Sequence, residues 1–256
     1  MKFASLGSGS EGNALIVSSE SDGLTTNVMV DCGFGLREAE RRLARLSLLS
    51  REISANVVTH EHSDHIGGVG KLARRFGIPV WMSKGTYQGA RDLDGVNVQF
   101  CRDGESFPVG DLEIHPYTVP HDAREPLQYV VSDGDARLGI LTDAGHLTEH
   151  LVNALAGCTA LMFECNHDLE MLMHSSYPQY LIRRIAGPLG HLANHTSAEI
   201  LAAIDKSRLR LVVGAHLSKR NNTAELARAA LSAALDLNRV ELLIASQEQG
   251  LAWQTI

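Results

Sequence analysis

The run HEHSDH, from His60 to His65, puts three imidazoles and an aspartate within six residues. Side chains two residues apart point the same way in extended backbone, so His60 and His62 can bind one cation together. Asp64 and His65 follow where the chain turns into a helix, and they are then free to reach a second cation. Imidazole and carboxylate together favour Zn²⁺, with Mn²⁺ or Fe²⁺ as alternatives where oxygen ligands are more numerous. The run therefore predicts a site for two divalent metal ions; the alternative is a polar loop capped by Asp64, with solvated histidines.

The elements around this run place it on a loop between a strand and a helix. Residues 56–59 form a short β-branched stretch that is typical of a strand. An apolar pattern that begins at Ile66 and continues to Phe76 predicts a helix. The run is therefore expected at the edge of a sheet.

Further ligand types follow other predicted strands. His121 comes after a strand predicted over 112–119, Asp143 after one over 137–142, and His216 directly after an apolar stretch that ends at Ala215. One such residue would mean little, but three at strand ends complete a two-metal constellation. A carboxylate at Asp143 can bridge both ions and place a shared water between them, as hydroxide at neutral pH.

The composition is that of a globular protein. The 256 residues are 44% hydrophobic and 21% charged, and no stretch is long and apolar enough to span a membrane. The net charge of −7 argues against tight, nonspecific nucleic-acid binding, although local basic clusters can contact a phosphate backbone. A strand is predicted within a few residues of Met1, which leaves no room for a signal peptide, and the four cysteines form no CxxC pair. We therefore expect a cytoplasmic enzyme with buried, reduced thiols.

Strands and helices alternate at both ends of the sequence, and the middle is rich in strands. Other helices are predicted over 36–48, 147–156, 178–186, 197–204 and 223–235. Other strands are predicted over 2–6, 14–17, 27–31, 79–82, 96–101, 128–132, 160–163, 209–213 and 240–244. This order predicts an α/β (α+β) fold of two mixed sheets packed together, with helices on the outer faces, as one domain over 1–256.

The order HxHxDH, His, Asp, His resembles the ligand motif of the metallo-β-lactamase superfamily, and the likeness covers nearly the whole chain. The resemblance implies a four-layer αββα sandwich. It also implies that the first metal is held by His60, His62 and His121, the second by Asp64, His65 and His216, with Asp143 as the bridge. Asp143 stands where the antibiotic-hydrolysing zinc enzymes usually carry cysteine, which argues against β-lactam hydrolysis.

Several segments are similar to the YycJ/VicX branch of that superfamily, bacterial phosphodiesterases with DNA exonuclease activity. These segments are SLGSGSEGNA, THEHSDHIGGVG, LTDAGH, FECNHD, GHLANH and AHLSKRNN. The β-CASP relatives that process DNA carry a large insertion between the bridging aspartate and the last histidine, and residues 144–215 are too few to hold one. A long Gly/Pro-rich arm like that of ribonuclease Z is also missing, which argues against transfer-RNA maturation.

Residues outside the ligand set are candidates for catalysis and substrate contact. The spacing of His191 from the last ligand is similar to that of the proton-donating histidine in related phosphodiesterases, so Asp64 and His191 are the expected catalytic residues. A helix cap or a hydrogen bond to a metal ligand is the alternative role for His191. The candidate substrate contacts are Ser8, Asn13, His167 and Asn194. The loop with Ser8 and Asn13 could equally be a plain hairpin turn, and His167 could hydrogen-bond a carbonyl. Four arginines between Arg37 and Arg45 are expected on a solvated helix face, with phosphate binding as the alternative.

These features predict a dinuclear metal-dependent phosphodiesterase that acts on nucleic-acid ends or nucleotides. A hydroxide bridging the metals would attack phosphorus, and His191 would protonate the leaving oxygen. Aromatic residues make up only 5% of the chain, so contacts to the backbone near the cut are expected rather than an extended base-stacking platform. The rival is a thioester or ester hydrolase of the glyoxalase II or lactonase kind, which shares all seven ligands but needs an apolar pocket. A binding or regulatory protein with an inactive metal site is a third hypothesis, and the sequence leaves the oligomeric state open.

Overall fold

The computed structural model describes residues 1–256 and contains two seven-stranded sheets with the same pattern of strand pairing. In spatial order, the first sheet consists of β14 (Leu251–Thr255), β1 (Lys2–Gly7), β2 (Ala14–Ser21), β3 (Leu24–Val30), β4 (Ala55–Val57), β5 (Val80–Met82) and β6 (Val98–Phe100). The second consists of β13 (Glu241–Ile244), β12 (Leu211–Ala215), β11 (Ala160–Glu164), β10 (Arg137–Leu141), β9 (Leu127–Ser132), β8 (Leu112–Thr118) and β7 (Phe107–Val109). Each sheet has antiparallel pairs on one side and parallel pairs on the other, so both are mixed, as predicted.

The helices are short, and most follow a parallel strand. They are α1 (Leu36–Arg45), α2 (Ser63–Ile66), α3 (Val69–Phe76), α4 (Lys84–Gly89), α5 (Glu149–Leu155), α6 (Leu169–Met173), α7 (Gln179–Ile185), α8 (Asn194–Ala203) and α9 (Ala224–Ser232), with a 3₁₀ turn at Ser50–Glu52. No helix combines the length and apolar character needed to cross a membrane.

Three hydrophobic clusters lie between four layers. Along β11, Met162 packs into the cluster between the two sheets, whereas Leu161 and Phe163 pack into the cluster beneath α5, α8 and α9. The same alternation along β2 places Ile16 in a third cluster, which lies beneath α1 and α3. Each fully buried side chain of this size contributes about 1.5–3 kcal/mol. Both faces of each sheet are therefore covered, which confirms the predicted αββα sandwich.

Four elements lie outside the predicted ones: β7, β14, α4 and α6. They contain three to six residues each, too few for a periodic apolar signal. The edge strand β14 pairs with β1 at the opposite end of the sequence, and local patterns carry no information about such a pairing. Helix α1 also ends three residues earlier than predicted, because Ser47 has a positive φ of 58°.

The arginines of α1 do not all lie on a solvated face, so that prediction is wrong for Arg42. Its side chain is buried, and its guanidinium donates to the carbonyls of Leu6 and Gln247 at 2.6 and 2.8 Å. Arg42 also forms an ion pair with Glu38. These bonds are made inside the protein and link α1 to β1 and to the turn between β13 and β14.

Candidate metal centre

The HEHSDH run lies at the end of β4, as predicted, and its second half forms α2. His62 has extended backbone, with φ −64° and ψ 143°, and caps the helix that contains Asp64 and His65. The loop after β3 packs tightly against this turn, because a Cβ built on Gly33 would lie 1.9 Å from the Asp64 carbonyl oxygen. Only glycine at position 33 allows this approach.

Three histidine nitrogens meet on one side of the site. His62 Nδ1 lies 3.0 Å from His60 Nε2 and 3.2 Å from His121 Nε2. Ligand atoms at zinc–nitrogen bonding distance in a tetrahedron are about 3.3 Å apart. The spacing of the three nitrogens therefore matches three corners of a tetrahedral cation site.

A second group of ligand atoms lies beside the first. Asp64 Oδ2 is 3.4 Å from His65 Nε2 and 3.7 Å from His216 Nε2. Asp143 lies between the two groups: its Oδ2 is 3.1 Å from His65 Nε2, and its Oδ1 is 3.9 Å from His121 Nε2. The structure thus brings all seven predicted ligands together, with Asp143 in the position of a bridge.

Hydrogen bonds on the far side of the imidazoles fix which nitrogen faces the centre. His121 Nδ1 donates to the Gly190 carbonyl at 3.0 Å, and His65 Nδ1 donates to Asp31 Oδ2 at 2.8 Å. The Thr59 hydroxyl donates its only proton to Asp31, so it must accept from His60 Nδ1 at 2.9 Å. In the neutral form, each of these three rings therefore points the lone pair of Nε2 into the site.

Two buried atoms at the centre have no hydrogen-bond partner. They are Asp143 Oδ2 and His216 Nε2, and both side chains are at most 3% exposed. A buried polar atom without a hydrogen bond is costly, and coordination to a cation would remove that cost. The mixed nitrogen and oxygen donors, the tautomers and these two atoms together fit divalent metal ions.

Comparison with known proteins agrees with this geometry. The family model described as "Beta-lactamase superfamily domain" matches residues 26–216. Exodeoxyribonuclease YycJ from Bacillus anthracis is 35% identical over 240 residues, which cover 92% of this chain and 89% of that protein. The chain belongs to the metallo-β-lactamase superfamily. Exodeoxyribonuclease WalJ from Streptococcus pneumoniae is 32% identical over 232 residues, which cover 88% of this chain and 85% of that protein.

A solved structure shows the same fold. The metallo-β-lactamase fold protein YhfI from Bacillus subtilis superimposes with a TM-score of 0.76 over 99% of this chain and 98% of that one, at 14% sequence identity. At such low identity the likeness concerns the fold alone. The family and the fold predicted from the sequence are therefore both confirmed.

Two histidines at the centre of this metallo-β-lactamase superfamily member have raised pKa values. Burial by itself lowers the pKa of His216, but Asp143 and Asp64 outweigh burial and raise that pKa to about 10. Burial also opposes the charge of His65, yet Asp143 and Asp31 raise the pKa of His65 well above its ordinary value. At neutral pH both rings therefore carry a proton that a metal must displace.

We expect metal loading at pH 7 to release about two protons per chain, one each from His65 and His216. Because the pKa of each ring is raised in the metal-free protein, the rings are protonated below that pKa and compete with the metal. Apparent metal affinity should therefore rise with pH between 6 and 9. Calorimetric titrations in buffers of different ionisation enthalpy measure the protons released. Metal binding without proton release would contradict the charged state of these rings.

Asp31 was not among the predicted site residues, yet its carboxylate holds both His65 and Thr59. It is 2% exposed, and it accepts from His65 Nδ1 and from the Thr59 hydroxyl at 2.8 Å each. The signal in the sequence was the same one that identified Asp143, an acid directly after a buried strand. Asp31 was missed because the order of strands in the sheet decides which strand ends lie next to one another, and local sequence does not reveal that order.

We expect Asp31→Asn to weaken metal binding by about 10–100-fold. Asparagine tolerates the positive φ of 59° at this position, so the backbone should be kept. Its amide, however, has one acceptor oxygen where the carboxylate has two, so either the Thr59 amide or the donors of His65 and the Thr59 hydroxyl face an NH₂ group instead of an acceptor. Competition with a chromogenic chelator measures the affinity, and circular dichroism checks the fold. An unchanged affinity would show that Asp31 does not orient His65.

His191 lies at the centre of the site, beside Asp143. Its Nδ1 donates to Glu164 Oε1 at 2.9 Å and lies 3.3 Å from Asp143 Oδ1. Glu164 is completely buried and also accepts from the Ala144 amide at 2.8 Å. Glu164 therefore fixes the ring of His191 and leaves Nε2 as its free nitrogen. Like Asp31, Glu164 ends a buried strand and was missed.

A cavity of about 430 Å³ opens above the metal ligands. Only three of its thirteen lining residues are hydrophobic. Besides ligands and His191, the wall includes Ser10, which lies on the glycine-rich loop expected to contact substrate, and Ser218, Tyr177 and Arg184, which were not predicted to contact it. Tyr177 and Arg184 belong to the segment around α7, and nothing in their local sequence indicates that this segment borders the metals.

The four predicted substrate contacts are buried and do not line this cavity. The Ser8 hydroxyl accepts from the His216 amide at 2.8 Å, and Asn13 Nδ2 lies 3.2 Å from His65 Nε2. Both residues lie on the predicted hairpin loop between β1 and β2, and both touch metal ligands. Asn194 hydrogen-bonds Asn222, and burial lowers the pKa of His167 to about 4. Substrate contact by these four residues stays a prediction that the observed contacts do not support.

Proposed function

We propose that this protein is a metal-dependent phosphodiesterase that removes nucleotides from the ends of DNA. The observation that carries the proposal is the polar cavity, which presents His191 and Arg184 above the ligands. An anionic phosphodiester needs such groups, whereas an acyl ester or thioester needs an apolar pocket. The names of the two bacterial relatives, both exodeoxyribonucleases, point to DNA as the substrate.

We also infer that the site holds two divalent cations. His60, His62 and His121 would hold the first, while Asp64, His65 and His216 would hold the second, with Asp143 shared. Five imidazoles favour zinc, and two carboxylates leave manganese or iron as alternatives. Bound there, the cations would supply Lewis acidity and lower the pKa of a coordinated water.

The residues of the chain supply the rest of the chemistry. Asp31, Thr59 and Gly190 hold imidazoles in the tautomer that faces the centre. Glu164 holds His191 with Nε2 free, so that this nitrogen can give a proton to the leaving oxygen of the sugar. One domain over 1–256 and a cytoplasmic location remain predictions.

A substrate panel tests the proposal. The metal-loaded protein is assayed on end-labelled linear DNA, covalently closed circular DNA, RNA of the same sequence and an S-acyl glutathione. We expect mononucleotides from linear DNA, loss of that activity with chelator, and recovery when metal is restored. Faster turnover of the thioester than of any nucleic acid would support the acyl-hydrolase hypothesis instead, and cutting of the closed circle would contradict an exonuclease.

A further inference from the structure

The outer wall of the cavity is formed by side chains outside the inferred set of metal ligands. Tyr177, Leu181, Arg184 and Ile185 lie on or just before α7 and face the same cavity as Asp64 and His191. Because this wall shares the cavity with the metal ligands, it is placed to contact the part of the substrate that is not being cut.

Arg184 is held in place and still has free donors. Its Nε donates to Asp122 Oδ2 at 2.6 Å, while 57% of its side chain is exposed. Asp122 is fixed in turn, because its amide donates to the Leu189 carbonyl at 2.9 Å. The two terminal nitrogens of the guanidinium have no partner in the protein. A planar guanidinium that has free donors and is held in place by an ion pair is well suited to bind phosphate oxygens.

Tyr177 provides an aromatic surface in the same cavity. The guanidinium carbon of Arg220 lies 5.6 Å from its ring centroid, and Arg220 forms no ion pair. Pro178 follows directly and caps α7, which restricts the backbone next to the ring. A partly exposed aromatic ring with a cation nearby is the usual surface for stacking a nucleic-acid base.

The size of the cavity limits what can enter. Its volume of about 430 Å³ is in the range of sites for single small ligands, so it accommodates about one nucleotide. We propose that the cavity receives one unpaired terminal nucleotide, with Arg184 binding its phosphate and Tyr177 stacking on its base. This inference rests on the proposed nuclease function and adds that the last base pair of a duplex must open before cleavage.

Two matched pairs of variants test the assignments. Arg184→Ala should lower kcat/KM on end-labelled DNA about 30-fold. Arg183→Ala removes the same charge from α7 outside the cavity and should have no effect. Tyr177→Ala should lower kcat/KM about tenfold, Tyr177→Phe should recover most of the loss, and Tyr180→Ala, an exposed ring outside the cavity, should have no effect.

Binding of a single-stranded oligonucleotide in the presence of chelator gives a readout independent of cleavage. We expect Arg184→Ala and Tyr177→Ala to raise Kd, and Arg183→Ala and Tyr180→Ala to leave Kd unchanged. Equal losses in Arg183→Ala and Arg184→Ala, or in Tyr177→Ala and Tyr180→Ala, would overturn the assignments.

The state of the DNA end tests the opening of the last pair. Duplexes that differ only in a matched or mismatched terminal pair should differ in initial rate, with the mismatched end about tenfold faster because less unpairing is required. Equal rates, with the wild type active on both, would overturn the one-nucleotide pocket and leave the nuclease function intact. A wild type that cleaves neither duplex would contradict the proposed function itself.

Discussion

Asp143→Ala is expected to lose bound metal and hydrolytic activity together, with a fall in kcat/KM on the order of 10³-fold or more. Asp143 is 2% exposed and lies between the two groups of ligand atoms, and no other carboxylate is placed to reach both. Its removal also takes away the carboxylate that lies 3.1 Å from His65 Nε2 and 3.6 Å from His216 Nε2. Metal content per chain, measured by mass spectrometry after dialysis, and cleavage of linear DNA are the two readouts.

Two further variants make this result interpretable. Asp143→Asn keeps the volume of the side chain but removes its charge, and it should also lose metal and activity. That result would show that unfolding of the alanine variant is not the cause of the loss. Asp94→Ala removes an exposed aspartate whose side chain has no hydrogen bond, and it should keep both metal and activity. Full metal content and activity in Asp143→Ala would exclude the bridging position.

His191→Ala is expected to slow the cleavage of DNA far more than the hydrolysis of an activated aryl phosphodiester. A sugar alkoxide is a poor leaving group, so loss of a proton donor should slow cleavage of DNA by ~10²–10⁴-fold. A p-nitrophenolate leaves without a proton, so hydrolysis of bis(p-nitrophenyl) phosphate should fall far less. His191 is not among the inferred ligands, so metal content should be kept. The ratio of the two rates is the measurement, and a general folding defect cannot produce a change in that ratio.

His195→Ala serves as the control, because His195 is an exposed histidine on the neighbouring helix α8. Equal losses of His191→Ala on both substrates would point to a structural or phosphate-binding role for His191. No loss on either would remove His191 from the mechanism.

The seven residues that meet at the candidate metal centre could be predicted from the sequence by their type together with their position. Each is a histidine or aspartate at the end of a buried strand or within one short run, and in an αββα sandwich such ends meet at one edge. Asp31 and Glu164 carry the same signal, but their roles depend on which imidazole they face. That relation is set by sheet order and not by local pattern.

The wall of the cavity could not be predicted in the same way. Arg184 and Asp122 are 62 residues apart and come from a helix and from the loop after β8. Tyr177 lies near an exposed stretch that includes Met173 and Tyr180, which reads as ordinary surface. Conversely, Ser8 and Asn13 were expected at the rim because their loop is polar and rich in glycine. The packing of that loop beneath His65 and His216 is a tertiary contact without a sequence pattern.

The ligands also come from both halves of the sandwich. His60, His62 and His65 follow β4 in the first sheet, whereas His121 and His216 follow β8 and β12 in the second. A cation held by His60, His62 and His121, or one held by His65 and His216, would have ligands from both sheets, so its coordination would be complete only when their inner faces have packed. Cation binding would therefore stabilise the completed fold relative to partly folded states, in which these ligands are not yet together. The residues that would bind the cations would therefore also stabilise the packing of the two sheets against each other.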